Sequence, residues 1–331
     1  MSLIVSNLTK KYDEKIVVDN LSFEMKKPGV YALLGTNGAG KTTAIRMMLD
    51  MLSRDGGEVL WNNQPLDTAT CNVGYLAEER GLYPKYSLMD QLIYFARLRD
   101  VPTAEAKKRI SAWAERLEVT EYLYPTYSDG SLFTPAGKRA GFSFGSKRRK
   151  VIPPKKADQL SKGNQQKIQF MTALISDPEL IILDEPLSGL DPINTDLFRT
   201  IIRDEIAKGK YLIMSSHQMA TVEEFCTDLT ILDRSKVVLQ GNLNEIKKSY
   251  GRVNLTLKVE QDISKYINTA AVDLVAEKEF EYQLKVSGEE QANKLLAMLI
   301  ANQISIITFD LREPSLHEIF VKVVGESNEA K

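Results

Sequence analysis

The sequence predicts an α/β fold that contains a block of helices and is followed by a small α+β domain. A short apolar run at residues 30–34 leads through a glycine-rich turn into a helical pattern. A second, unbroken apolar run at residues 180–183 is typical of a central strand in a parallel sheet. After Ser249 the pattern changes to alternating strands and an amphipathic helix at residues 289–301, which indicates a separate domain.

The composition limits the classes of protein to which this chain can belong. Of the 331 residues, 43% are hydrophobic and 26% are charged, as in a globular protein of two domains or one large one. The formal net charge of −1 excludes a chain that is basic throughout. Cys71 and Cys226 are far apart, have no metal-ligand spacing and indicate a reducing compartment. We find neither a signal-peptide pattern nor about 18 uninterrupted apolar residues, so a membrane role needs a partner chain.

The glycine-rich turn fits a phosphate-binding loop. Gly35, Gly40, Lys41 and Thr42 occupy every fixed position of G-x-x-x-x-G-K-[ST], and the order of strand, turn and helix favours this reading over an ordinary turn. Glycines let backbone N–H groups point at a phosphate, and the helix start adds partial positive charge. Lys41 would lie beside the β- and γ-phosphates, and Thr42 would hold Mg²⁺. The residues expected at the phosphates are Gly35, Thr36, Asn37, Gly38, Ala39, Gly40, Lys41, Thr42 and Thr43.

The other elements follow from periodicity, and Tyr12 stands in a polar turn between the first two strands. Tyr12 is either a half-exposed aromatic or a platform for a base, since stacking needs no specific base edge. The predicted strands are residues 2–6, 16–25, 30–34, 58–61, 73–76, 180–183, 211–215, 254–260, 282–286 and 304–311. The predicted helices are residues 42–52, 88–99, 103–118, 161–175, 193–208, 289–301 and one that starts at Pro314.

Residues 126–158 are basic and have no sustained periodicity. They form either a solvated loop or a functional insertion, because structureless stretches of this length are uncommon within a domain. As an insertion, residues 138–156 could bind anionic lipid head groups, at roughly 1 kcal/mol per basic residue near the surface. The basic residues are Lys138, Arg139, Lys147, Arg148, Arg149, Lys150, Lys155 and Lys156, against the acids Asp129 and Asp158.

Polar residues that could bind a ligand or take part in catalysis cluster in the second half of the α/β region. Ser161 is a natural helix N-cap, whereas Gly163 costs helix stability unless a backbone must come close. Asp184 and Glu185 follow a buried strand, at the end where open α/β sheets bind ligands. A lone histidine is usually structural, but His217 follows a strand that we expect to run parallel to the Asp184 strand.

Together these stretches resemble the ATP-binding subunits of ABC transporters over about residues 3–249. Several motifs occur in the family's order, and P-loop kinases and GTPases lack the signature segment. The signature is usually Leu-Ser-Gly-Gly-Gln and here contains Lys162 and Asn164. The segments similar to family motifs are residues 35–43 (Walker A), 160–165 (signature), 180–185 (Walker B), 188–191 (D-loop) and His217 (switch histidine).

The resemblance implies an α/β P-loop NTPase of ABC type, with a mixed β-sheet core and a helical subdomain at about residues 85–178. This ATP-binding domain would span residues 1–249, and a small α+β accessory domain would span residues 250–331. The implied activity is ATP hydrolysis that powers a separate membrane permease, expected to be an exporter, through ATP-driven head-to-tail dimerisation. The implied location is cytoplasmic, on the inner face of the membrane through the permease. The implied cofactors are ATP and Mg²⁺.

The resemblance also implies roles for single residues. Thr42 and Asp184 would hold Mg²⁺, Glu185 would be the general base, and His217 would bind the γ-phosphate. Tyr12 would stack on adenine. The residues implied to close over the γ-phosphate from a second copy are Ser161, Gly163 and Asn164.

Residue 78 departs from the family pattern. The Q-loop glutamine should follow residues 74–77, where this chain has Glu78. A glutamate keeps an oxygen that can approach Mg²⁺ or the attacking water, but it loses the amide donor. Glu78 is therefore a candidate metal ligand and catalytic residue, with signalling to the membrane subunit as the alternative. The run at residues 75–84 resembles a bacterial subgroup related to sodium-efflux and drug-export ATPases.

Two questions stay open at this point. The alternative function is a soluble ABC ATPase acting on nucleic acid or the ribosome, which only the basic stretch favours, because the chain has one cassette and no coiled-coil insertion. The C-terminal domain either regulates or supports a dimer, or it only stabilises the chain. His317 is expected on the surface of its last helix.

Overall fold

The structure, a computed structural model, describes residues 1–79, 81–127, 131–132 and 150–329. It forms two compact units: Met1–His217 with Arg234–Lys236, and Gln218–Asp233 with Val237–Lys331. These units divide the chain differently from the predicted domains, 1–249 and 250–331, which stay a prediction. The predicted basic residues that lie outside the described residues are Lys138, Arg139, Lys147, Arg148 and Arg149.

The first unit alternates strands and helices. Its elements are β1 (Leu3–Tyr12), β2 (Lys15–Met25), β3 (Gly29–Gly35), α1 (Lys41–Met48), β4 (Gly56–Trp61), β5 (Gln64–Pro65), β6 (Val73–Leu76), α2 (Leu88–Arg97), α3 (Thr103–Arg116), α4 (Thr120–Leu123), β7 (Thr126–Tyr127), β8 (Val151–Ile152), a 3₁₀ turn (Ala157–Gln159), α5 (Lys162–Leu174), β9 (Leu180–Asp184), α6 (Pro192–Ala207) and β10 (Tyr211–Ser216).

A parallel sheet lies at the centre of the first unit, with the strand order β3, β10, β9, β6. Every residue of β3, β9 and β10 is buried, which their nearly unbroken apolar sequences predict. β10 pairs in parallel with both neighbours, and the register sets Ser215 opposite Asp184. The strand before His217 therefore runs parallel to the Asp184 strand, as predicted, and the carboxyl ends of β3, β9 and β10 meet at one edge.

Two elements of the first unit differ in length from their predictions. β1 continues to Tyr12, so this residue ends a strand instead of lying in a turn. Bulges between β1 and β2 break the apolar alternation that the prediction required, although the pairing continues. α1 ends at Met48 rather than near residue 52, because Asp50 adopts a left-handed backbone with φ of 55° that a continuing helix does not allow.

The helical block predicted after residue 85 consists of α2 to α5. Side-chain caps fix two of the helix starts: Ser87 accepts a hydrogen bond from the Asp90 N–H at 3.4 Å in α2, and Ser161 accepts one from the Asn164 N–H at 3.3 Å in α5. α3 buries one face, which includes Ile110. No helix in the described part of the chain is both long enough and apolar enough to cross a membrane.

The second unit carries the C-terminal elements. They are α7 (Met219–Phe225), β11 (Asp228–Asp233), β12 (Lys236–Asn242), α8 (Leu243–Ser249), β13 (Asn254–Val259), α9 (Ser264–Thr269), β14 (Asp273–Lys278), β15 (Glu281–Lys285), α10 (Glu289–Ala301), β16 (Ile306–Arg312) and α11 (Leu316–Glu329).

An antiparallel sheet in the order β14, β15, β13, β16 organises the second unit. Its core joins the sheet to the helices through residues such as Leu257, Tyr282 and Leu295. The strands near residues 254–260 and 282–286 and the helix at 289–301 confirm their predictions. β14 was not predicted, because all its residues are exposed and its sequence shows no alternation of apolar and polar residues.

Glu318 fixes the start of the last helix. Its carboxylate accepts hydrogen bonds from the Asn254 side chain at 2.8 Å and from the Ser315 N–H and hydroxyl at 2.9 Å. Burial favours the neutral acid, but these bonds and Lys285 lower the pKa of Glu318 to about 2. The carboxylate therefore stays ionised at neutral pH and holds α11 to the sheet. His317, beside it, is exposed as predicted.

Candidate active site

The predicted phosphate loop connects β3 to α1. Gly40 precedes the helix in a left-handed conformation, with φ of 104°. Among the residues that the structure describes, no side chain caps this helix start, and its first turn carries no acidic residue. Thr36, Asn37 and Gly38 are exposed at the open side of the loop. The loop thus presents backbone N–H groups and the positive end of a helix dipole to one place, which suits an anion.

Two loop glycines are required for different reasons. Gly38 has φ of 81°, and a Cβ built on it would meet nothing within 4 Å. Gly40 also has a positive φ, but a Cβ there would lie 2.4 Å from the Val17 carbonyl oxygen. Gly38 is therefore required only by its left-handed backbone, whereas Gly40 also lets the loop pack against β2.

We expect Gly40→Ala to destabilise the fold far more than Gly38→Ala. A left-handed alanine costs roughly 1–2 kcal/mol at either position, and the Gly40 variant adds a collision with backbone, for a total of about 3 kcal/mol or more. Urea denaturation followed by circular dichroism measures both free energies of unfolding. Equal losses in the two variants would contradict the packing role of Gly40.

Lys41 folds back over the loop. Its Nζ donates to the Gly35 carbonyl at 2.9 Å and to the Thr36 carbonyl at 3.3 Å. The same Nζ lies 3.6 Å from Glu185 Oε1, and both side chains are only 7% exposed. A cation held at this point can pair with phosphate oxygens that reach the loop.

Asp184 ends β9 with one carboxylate oxygen unused. The Ser215 hydroxyl donates to Oδ1, while Oδ2 is buried and has no hydrogen-bond partner in the described part of the chain. Burial raises the pKa of Asp184, and the hydroxyls of Ser215 and Thr42 oppose that rise. Buried carboxylate oxygens normally have partners, so the unpartnered Oδ2 fits a hard cation that takes oxygen ligands.

Glu185 stands between two other predicted site residues. Its Oε2 lies 2.9 Å from His217 Nδ1, and its Oε1 faces Lys41. The backbone of Glu185 is left-handed, with φ of 50°, which is uncommon for a glutamate and occurs often at functional sites. The ends of β3, β9 and β10 thus bring Lys41, Glu185 and His217 together. Their chemical roles stay predictions.

The signature residues lie outside this cluster. Ser161 caps α5, as predicted, and it is exposed. The Asn164 amide donates to the Tyr122 hydroxyl at 3.0 Å. A Cβ on Gly163 would make only ordinary contacts, 3.5 Å from Asn194 and 3.8 Å from Leu190, so its own chain does not demand a glycine there. No hydrogen bond or ion pair between described residues joins Ser161 or Asn164 to Lys41, Asp184 or Glu185.

Tyr12 and Glu78 also lie apart from the cluster. Tyr12 is 49% exposed, and Lys10 Nζ lies over one face of its ring, 5.3 Å from the ring centre, so stacking would use the opposite face. Glu78 is exposed and, within the described residues, enters no hydrogen bond or ion pair. Its neighbour Glu79 is held instead, because Arg46 lies 3.7 Å from its carboxylate and Gln169 binds its carbonyl. The metal and catalytic roles of Glu78 stay predictions without a contact to support them.

Sequence reasoning missed two residues that support the cluster. Ser215 contacts both Asp184 and Glu185, and its signal was a hydroxyl at the end of an otherwise apolar strand next to the Asp184 strand. Gln166 of α5 donates to the Pro186 carbonyl at 2.8 Å and so ties the signature helix to the residue after Glu185. Nothing in the sequence singled out Gln166 among the neighbouring glutamines.

The sequence matches two family models. Residues 18–188 match the family described as ABC transporter. Residues 241–324 match the family described as ATP-binding protein DrrA1-3-like, C-terminal domain. The first match contains the phosphate loop, the signature segment and the acidic pair, and the second lies within the C-terminal unit.

Similar proteins span nearly the whole chain. The uncharacterized ABC transporter ATP-binding protein YhaQ of Bacillus subtilis is 38% identical over 324 residues, 98% of each chain. The linearmycin resistance ATP-binding protein LnrL of the same species is 27% identical over 98% of this chain and 99% of its own. The Nod factor export ATP-binding protein I of Ralstonia nicotianae is 29% identical over 74% of this chain and 68% of its own. A solved structure titled as the ATP binding subunit of an ABC transporter superposes with a TM-score of 0.61 at 25% identity, covering 76% of this chain and 93% of that one.

Proposed function

This chain belongs to the ABC transporter family as an ATP-hydrolysing subunit that powers a separate membrane permease, and we propose that it works as an ATP-driven head-to-tail dimer. One observation carries the proposal. Lys41, Glu185 and His217 form one cluster, while the signature segment lies outside it, with Ser161 exposed and Gly163 half-buried. A second copy that supplied its signature segment would complete each site, and the same contact would make two sites per dimer.

In the proposed mechanism the loop amides and Lys41 hold the phosphates from one copy. Glu185 orients the attacking water and accepts its proton, for which its buried carboxylate is placed at the strand ends. His217 stabilises charge that develops on the γ-phosphate. From the other copy, Ser161 and the start of α5 close over the same phosphate. Tyr12 stacks on the base.

We propose that Mg²⁺ accompanies the nucleotide, held by the Thr42 hydroxyl and the free Oδ2 of Asp184. The fit rests on that buried, unpartnered oxygen and on the oxygen-only donor set. When bound, Mg²⁺ would neutralise negative charge on the β- and γ-phosphates. The residues of the chain would then only have to hold the phosphates and place the water.

We infer that the permease partner is an exporter, because similar proteins are named for Nod factor export and for linearmycin resistance. The comparisons give no support to the alternative of an ATPase acting on nucleic acid or the ribosome.

The chain would lie at the cytoplasmic membrane face through its permease, and lipid contact through residues 138–156 stays a prediction. Recovery in the membrane fraction that did not depend on co-expressed permease would argue against this location.

Mixing two inactive variants tests the dimer. Lys41→Ala disables the phosphate loop, and Ser161→Ala with Gly163→Leu disables the signature segment. The second variant keeps α5 stable, because the lost cap and the gained helix propensity are each worth about 1 kcal/mol. Each variant alone should lack ATPase activity. A one-to-one mixture should regain about a quarter of wild-type activity, since half of the dimers are mixed and each has one intact site.

Two outcomes of the mixing experiment would contradict the proposed dimer. If the Ser161 and Gly163 variant hydrolyses ATP at the wild-type rate as a monomer, the shared site is wrong. If both variants fold normally and the Ser161 and Gly163 variant binds ATP, but the mixture stays inactive, the head-to-tail arrangement is wrong. Thermal melting of each variant provides the control for folding.

A further inference from the structure

We propose that Ser215 is a positioning residue that fixes both acidic residues of the site through one hydroxyl. It would hold Asp184 so that Oδ2 faces the metal, and it would hold the backbone that carries Glu185. The inference rests on the proposed nucleotide site and adds a residue that no motif includes.

The contacts of Ser215 place it behind the two acids. Ser215 is 0% exposed and lies opposite Asp184 in the parallel pairing of β10 with β9. Its Oγ accepts a hydrogen bond from the Glu185 N–H at 2.9 Å and donates one to Asp184 Oδ1. The single hydroxyl thus contacts consecutive residues, one through its side chain and the other through its main chain.

The direction of these bonds is determined by chemistry. A backbone N–H can only donate, so the Ser215 oxygen must accept from Glu185. The hydroxyl proton is then free to point toward Asp184, whose carboxylate oxygen accepts it. Because Oδ1 is occupied in this way, Oδ2 is the oxygen that stays without a partner. Ser215 therefore selects which oxygen of Asp184 is offered to a ligand.

The same hydroxyl supports the unusual backbone of Glu185. A positive φ is unfavourable for a glutamate, and such conformations persist only where the surroundings hold them. The bond from the Glu185 N–H to Ser215 anchors this turn to the central sheet. This turn directs the Glu185 carboxylate toward Lys41 and His217. Loss of the hydroxyl should therefore disturb both the metal ligand and the base.

A purely structural role makes a different prediction. A buried serine that only satisfies its neighbours would lower stability when replaced, but it would not change how binding depends on Mg²⁺. Residues that orient metal ligands typically change metal affinity or activity by about 10- to 100-fold when replaced. The dependence of nucleotide binding on Mg²⁺ separates the two roles.

The experiment measures binding of a fluorescent, non-hydrolysable ATP analogue to the full chain, in EDTA and across a Mg²⁺ titration. We expect Ser215→Ala to match wild type in EDTA and to need about 10- to 100-fold more Mg²⁺ for half-maximal enhancement of binding. Ser215→Thr keeps the hydroxyl and should restore the wild-type dependence. Thr221→Val is the matched control, because it removes another buried hydroxyl, bonded to Gln218 in the second unit, and should leave the dependence unchanged.

A double-variant comparison tests whether Ser215 acts through Asp184. In an Asp184→Asn background, Ser215→Ala should add less than about threefold to the Mg²⁺ requirement, since coupled neighbours are not additive. Fully additive effects would overturn the proposal. If Ser215→Ala does not fold, Ser215→Cys keeps the size with a weak hydrogen-bonding group and should shift the requirement in the same direction.

The outcomes separate this inference from the proposed function. An unchanged Mg²⁺ requirement in folded Ser215→Ala, beside a normal Mg²⁺ effect in wild type, would overturn the role of Ser215 alone. Wild-type chain that does not bind the analogue, or binds it without any Mg²⁺ effect, would overturn the proposed site and this inference with it.

Discussion

Replacing Glu185 with glutamine is expected to lower steady-state ATP hydrolysis by about 10²- to 10⁴-fold, the contribution of a general base. Glutamine keeps the size of the side chain but cannot accept a proton from water. ATP binding should remain, because the loop amides, Lys41 and Thr42 are unchanged. Since hydrolysis no longer removes the nucleotide, ATP should trap the variant as a dimer.

Rapid-quench assays of phosphate release and analytical ultracentrifugation with and without ATP test both parts. Glu179→Gln is a matched control, because it makes the same substitution at an exposed position just before β9. It should retain wild-type turnover and show no stable dimer. Turnover of Glu185→Gln within a few-fold of wild type would show that the base is assigned wrongly.

Replacing Lys41 with alanine is expected to weaken ATP binding by about 10- to 100-fold, as for the loss of a charged hydrogen bond. The ammonium is buried and held over the loop by the Gly35 and Thr36 carbonyls, so little of its charge is screened by water. The loss should be larger for ATP than for ADP, because Lys41 is expected to contact the γ-phosphate as well as the β-phosphate.

Isothermal titration with both nucleotides gives the affinities. Lys26→Ala provides the control, because Lys26 is highly exposed and pairs only with Glu24, 3.2 Å away, among the described ion pairs. Circular dichroism must show that the Lys41 variant is folded, since its removal also takes a partner from Glu185. Unchanged ATP affinity in a folded Lys41→Ala chain would contradict the phosphate-loop interpretation.

The central strands could be predicted from the sequence because they are buried on both faces. Residues 180–183 and 211–214 are apolar without interruption, and only the inside of a parallel sheet suits such runs. The phosphate loop could be predicted because its glycines and lysine follow from phosphate chemistry. Asp184 and Glu185 were found because they end a predicted strand.

The remaining features depend on contacts between distant segments. Nothing local shows that Tyr12 ends a strand, because bulges in the pairing with β2 disrupt the alternation. β14 gives no alternation because it lies exposed at the edge of its sheet. The role of Ser215 arises only when β10 is aligned with β9, and strand alignment is not encoded in either strand alone. Similarly, the contact between Gln166 and Pro186 requires the packed α5.

The alignment of Ser215 with Asp184 also bears on which length changes the chain can accept. Successive strand residues point to opposite faces, so one residue inserted early in β10 would turn Ser215 away from Asp184 and carry His217 with it. An insertion of the same size in an exposed connection would leave this pairing alone. The strand pairing of the central sheet fixes the positions of the site residues. Sequence length is therefore more tightly restricted in its interior strands than in the loops between them.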